Sequence, residues 1–239
     1  MIESATSAAM SRIEARERDV RNAYRPGFVP EANDVRATVG AAPAASALSV
    51  AAPAGAYFLS RDSARRMSLT RDGAFAVVDG ELRSSDGRPV LGFGTIDATT
   101  LGPLQIDRYD LALRRVAAPR VEGDGSFAYE RTAIDPRTGE RRTERVVAGR
   151  LALARLPPGT QPVRVDSTHV APPKGTNAIV GLPGDAAFGN LLPHARDLGG
   201  VDVVTGLEKM REAYAAFDAL RAAHHARGAL EKTALDLVK

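Results

Sequence analysis

The 239 residues are 44% apolar and 26% charged, a balance that buries a core in one or two domains and excludes a fibrous or wholly disordered chain. Cysteine and tryptophan are absent, which excludes disulfide frameworks, thiolate metal sites and cysteine nucleophiles. The formal charge is +3, and lysine stands only at 174, 209, 232 and 239, so the chain is mildly basic through arginine and has no charge block.

Residues 1–25 hold no proline or glycine and are rich in Ala, Arg and Glu, which predicts a helix. Its positions at 4-3 spacing, Ile2, Thr6, Ala9, Ile13, Arg16, Val20 and Ala23, make a seam that is apolar but small and is broken at Thr6 and Arg16. Pro26 and Gly27 stop it. The Ala, Pro and Ser-rich stretch from Ala41 to Ala56 reads as a connector. No segment approaches the roughly 18 to 20 apolar residues of a membrane helix, so the chain is expected not to span a membrane. Its first residues lack the basic and apolar regions of a cleaved signal peptide.

From about 55 to 190 the chain reads as short strands and turns. Asp72-Gly73, Asp79-Gly80, Asp86-Gly87 and Asp124-Gly125 are turn dipeptides between short apolar runs, and Asp135 to Gly139 reads as a longer hairpin loop. Toward the end, Asp202 or Thr205 can cap a helix running to Lys239. Val203, Leu207, Met210, Tyr214 and Phe217 fall on one stripe, which slips by three residues to Leu220 and resumes at Leu230, Ala234 and Leu237. Residues 1–30 carry five arginines and four acids, and residues 201–239 carry six of each sign. Two near-neutral amphipathic helices invite pairing with each other or with copies of themselves.

Sites for chemistry are sought and not found. His169, His194, His224 and His225 show no zinc-ligand spacing and read as exposed or interface groups. Gly92-Phe93-Gly94 lacks the third glycine and following helix of a dinucleotide site. Glu122 to Gly125 has too few alternating oxygens for a calcium loop. Arg137 to Arg145 is diluted by two glutamates and has no aromatic for a base to stack on, so it reads as a solvated hairpin with cross-strand ion pairs. No catalytic residue, metal, cofactor, nucleic acid or small-molecule substrate is expected.

Several ordered runs carry a resemblance. They are Tyr57-Phe58-Leu59, Leu69-Thr70-Arg71-Asp72-Gly73-Ala74-Phe75, Gly80-Glu81-Leu82, Ser84-Ser85-Asp86-Gly87-Arg88-Pro89-Val90, Val147 to Ala154, and Phe188-Gly189 through Val201-Asp202-Val203-Val204. In this order they resemble the axial proteins of the bacterial flagellum, above all the basal-body rod proteins, over nearly the whole chain. Two departures stand out. The family's Asn-rich segment after the first helix is reduced to Asn22, Gly27 and Phe28, and the Ser-Asn before the last helix is Gly199-Gly200.

The resemblance implies a non-enzymatic structural subunit of the flagellar rod that polymerises into a helical axial tube, transmits torque and serves motility. The expected fold is mainly β with discontinuous α. The N- and C-terminal helices pair as a coiled-coil-like assembly domain, residues 1–38 plus 200–239, around a β-rich domain of 39–199 with its connector at 39–56. The implied assembly contacts are Ile2, Ala9, Ile13, Val20, Val203, Leu207, Met210, Tyr214, Phe217, Leu220, Leu230 and Leu237. Implied partners are copies of the chain, other rod and hook proteins and the flagellar type III export apparatus, which would deliver it to the periplasm-spanning basal body without a cleaved signal. A second reading is a periplasmic or surface β-domain that binds a partner and is oligomerised through its terminal helices.

Overall fold

The computed structural model of the protein describes residues 2–31, 40–95, 99–134 and 137–237, with the backbone alone at 2, 3 and 235. These form two compact units. One holds residues 2–24, 30–31 and 200–237, and the other the described residues of 25–29 and 40–199.

The first unit is helical. Helix α1 is Ile2–Arg21, and its end is marked by Asn22, whose amide donates back to the Arg18 carbonyl at 2.8 Å. The buried Asp19 carboxylate accepts the Glu31 backbone N–H at 2.8 Å. The second unit holds helix α2, the five residues Arg108–Ala112, capped by Asp107 through the Tyr109 and Asp110 N–H groups. Helix α3, Val203–Leu237, closes the chain. Its cap is Asp202, whose carboxylate accepts Val204 N–H at 3.0 Å and Thr205 N–H at 3.3 Å and so satisfies two of the helix's orphan donors.

The second unit is built on two antiparallel sheets. The five-stranded one runs Leu101–Pro103, Leu91–Gly94, Arg141–Leu151, Ser126–Ile134, Val116–Val121, and the six-stranded one Val163–Arg164, His169–Ala171, Met67–Thr70, Ala56–Arg61, Leu153–Arg155, Ile179–Gly181. The run from Arg141 to Arg155 serves both sheets and changes sheet at Ala152, which is fully buried. Phe58, Phe127, Leu151 and Leu153 lie at the centre of the core with no solvent exposure, and Phe75 meets Phe58 edge to face with centroids 5.1 Å apart. Each side chain of this size contributes about 1.5 to 3 kcal/mol on full burial. Asp79 and Gly80 join Ala76–Val78 to Glu81–Arg83 with φ of 52° and 79°, the double left-handed turn that suits a twisted hairpin.

The coiled-coil-like domain expected from the paired terminal helices is not formed. Among the described residues the chain is mainly β, seventeen strands against three helices, and only the C-terminal helix is long. The N-terminal helix does not pair with it along a common apolar seam. Helix α1 has 20 residues and α3 has 35, every described side chain of α3 from 221 onward is exposed, and Leu207 and Tyr214, expected inside, are each 41% exposed. The face that approaches α1 carries Gly206 and Ala213 in their place. Carried on past Leu220 at the same spacing, that face bears His224, Arg227 and Glu231, which cannot continue a dry contact.

The stretch 41–56 is more than a connector. Ala41–Pro43 pairs with Ala195–Asp197, and Val50–Ala51 pairs with Leu192–Pro193, with Val50 wholly buried in the core. Strands of two or three residues whose partners lie about 140 to 155 positions on leave no local alternation to read. Among the hairpins, Arg131 stands opposite Glu144 and ion-pairs with it, as the charge pattern predicts. Asp135 and Pro136 lie outside the described residues.

Candidate assembly surface and the buried polar node

Two places gather the residues that the sequence singles out. The first is the helical unit. Contacts between α1 and α3 run antiparallel: Val20 faces Gly206, the Tyr214 hydroxyl donates to the Glu17 carboxylate, and Thr6 and Met10 stand near Phe217 and His224. On α1, Ala9 and Ile13 are buried and Val20 is half-buried. The side chain of Ile2 lies outside the described residues. On α3, Val203, Met210, Phe217 and Leu220 are half-buried, while Leu207 and Tyr214 lean to solvent. Leu230 is 71% exposed and Leu237 is 82% exposed.

Residues on the contacting face that the apolar pattern misses are Gly206 and Ala213. Gly206 is buried, and a β-carbon there would lie 3.0 Å from a Val20 methyl. A glycine inside a helix costs about 1 kcal/mol against alanine, so Gly206 inside the capped helix is itself the signal of a close approach.

The second place is a buried polar node where the motif residues of the resemblance meet. Thr70 donates from Oγ1 to the Thr168 carbonyl at 2.8 Å, and the same oxygen accepts the Asp72 N–H at 3.0 Å. Ser85 donates to the Asp72 carboxylate. Arg88 spans Asp86 and Asp166 at 2.9 and 2.6 Å, and His169 Nδ1 lies 3.0 Å from Asp166. His169 is buried, in place of the exposed or interface position expected for the histidines, because its ring packs where the 166–169 turn meets Thr70 and Asp86. His194, His224 and His225 are exposed.

Electrostatics sort these carboxylates. Burial raises Asp166, but the Thr168 N–H, His169 and Arg88 outweigh it and hold the group well below the usual range. Burial dominates at Asp72 and keeps it raised in spite of Ser85 and the Ala74 N–H. Arg71 sends one guanidinium nitrogen to the carbonyls of Pro53 and Ala56 and the other to that of Ala52, and it meets Asp197 at 2.8 Å. Asp197 is nevertheless pushed up to about 6, because its burial exceeds what Arg71 returns. These contacts tie loops together. Gly73 belongs to the same construction, since a β-carbon on it would stand 1.8 Å from the Val50 carbonyl oxygen.

Among the described residues no three His, Asp or Glu side chains gather as a metal site, and no helix is long and apolar enough to cross a membrane. No family model matches the chain, and no curated protein matches it.

Proposed function

We propose that the protein is a non-enzymatic structural subunit of the bacterial flagellar basal-body rod, polymerising with copies of itself and with other rod and hook proteins into a helical axial tube that transmits torque from motor to hook. On this reading the flagellar type III apparatus exports it to the periplasm. The observation that carries the proposal is the second half of α3. Thirty-five helical residues span about 52 Å at 1.5 Å per residue, and from 221 to 237 the described side chains, Leu230 and Leu237 among them, are exposed. A helix of that kind draws most of its stability from burial against neighbours, and identical subunits repeated by a rotation that does not close supply such neighbours indefinitely. The motif order from Tyr57 to Val204 supports the rod as the particular assembly.

Limited proteolysis of the purified monomer, followed by electron microscopy at high protein concentration, tests the proposal. The expected result is rapid trimming to a core near residues 40–199, with filaments or tubes from the intact chain alone. A protease-resistant closed dimer or trimer that never polymerises overturns it and favours a β-domain binding module oligomerised through its ends.

A further inference from the structure

The β unit contains a groove of about 560 Å³ between the end of strand Leu91–Gly94, strand Leu101–Pro103, the first turn of α2 and the two long central strands. That volume suits a small organic ligand. Among the described residues three charged side chains line it, Asp107, Asp110 and Arg131. Asp107 is occupied as the cap of α2. Asp110 is 1% exposed, and both of its side-chain contacts fall on one oxygen, Oδ2: the Tyr129 hydroxyl donates to it at 2.6 Å, and Arg131 lies at 3.4 Å. Arg131 is turned chiefly to Glu144, to which its Nε and a terminal nitrogen both donate. A buried carboxylate ordinarily accepts more than this, and its second oxygen accepts nothing among the described residues.

The lining sets two carboxylates, Asp107 and Asp110, beside one guanidinium, Arg131. Burial first, and then the Asp110 and Asp107 carboxylates, hold the Tyr129 phenol far above its usual range, with Arg131 opposing. Gly102, on the edge strand, lines the groove; it does not take up the left-handed backbone that would require glycine, and a β-carbon on it would meet nothing within 4 Å. A strand glycine lowers strand stability, and a larger side chain at 102 has open space to occupy beside the groove.

We propose that this groove binds an alkylammonium group, a primary amine on a short apolar chain, with the charge against Asp110 and the methylenes against Leu104 and Val146. The same chemistry arises from a free polyamine and from a lysine side chain of a partner protein. The groove lies wholly within the β unit, so the proposal stands or falls independently of rod assembly.

Calorimetric titration of the full chain with n-butylammonium, 1,4-diaminobutane, an N-acetyl-lysine amide and neutral 1-butanol tests it. Saturable binding of the amines at millimolar concentration or below, with none for butanol, is expected. Gly102→Leu, which fills open space, should abolish amine binding while leaving the thermal transition in place. Asp110→Asn should weaken binding about tenfold or more, the effect of losing a charge-assisted contact. If Asp110→Asn fails to fold, Gly102→Leu decides alone. Tighter binding of diaminobutane assigns a free polyamine, and tighter binding of the lysine amide assigns a partner's side chain. No saturable amine binding, equal binding of butanol, or undiminished binding by Gly102→Leu overturns the proposal.

Discussion

Gly206 of α3 and Val20 of α1 approach so closely that a β-carbon at 206 would stand 3.0 Å from a Val20 methyl. Leu207, the seam residue next to it, leans to solvent. Gly206→Leu is therefore expected to prise the helices apart at a cost of about 1 to 3 kcal/mol, the usual penalty of overpacking, and Gly206→Ala to cost less. Thermal unfolding followed at 222 nm should show the helical transition lowered and that of the β unit in place, since the two units have separate interiors. Equal lowering of both transitions would refute their independence.

Surface residues of α3 separate folding from assembly. Leu207→Asp and Leu230→Asp replace exposed side chains, so monomer stability should change by about 0.5 kcal/mol or less, while polymerisation seen by sedimentation should be lost. Phe217→Asp buries part of a charge beside α1 and should lower the helical transition as well. Normal polymers from Leu230→Asp would remove the second half of α3 from the assembly surface.

Asp197 sets a pH dependence with a definite sign. Its folded value, about 6, lies above the ordinary 3.8, so between those values the native state binds more protons than the unfolded chain, and stability rises as pH falls through 6. The ionised form then costs about 3 kcal/mol at neutral pH, and Asp72, raised by burial beside it, acts in the same direction. Denaturant midpoints of the β unit should rise from pH 8 to pH 5, and Asp197→Asn should flatten that rise. The low value of Asp166 acts in the opposite direction, but only below its ordinary range, so acid destabilisation should begin under about pH 4.

Gly73 tests the fit of the motif loop to the core. Its β-carbon would enter the Val50 carbonyl oxygen at 1.8 Å, backbone that cannot move aside without breaking the pairing of Val50–Ala51 with Leu192–Pro193. Gly73→Ala should destabilise the β unit by more than about 3 kcal/mol, whereas Gly139→Ala, in a turn where a β-carbon meets nothing but φ is 71°, should cost only about 1 kcal/mol for left-handed strain. Denaturation midpoints of the two variants compare the effects directly.

Local chemistry alone determined much of this. Asp202 caps α3 and Asp79-Gly80 makes its turn, because each of these preferences acts within a few residues, whereas α1 stops at Arg21, short of the proline and glycine at 26 and 27 expected to end it. The charged stretch 137–145 reads locally as a hairpin with cross-strand ion pairs, but that Glu144 meets Arg131 follows from the strand register. What required the tertiary structure was everything that depends on distant partners. The stretch 41–56 looks like a connector until strands about 140 to 155 residues later pair with it. Stripe positions cannot say which of Gly206 and Leu207 faces α1, since a one-residue shift on a helix is a turn of about 100° and the neighbour decides it. His169 carries no local sign of burial, and Asp110 and Gly102 become a groove only when the five-stranded sheet brings them to one face.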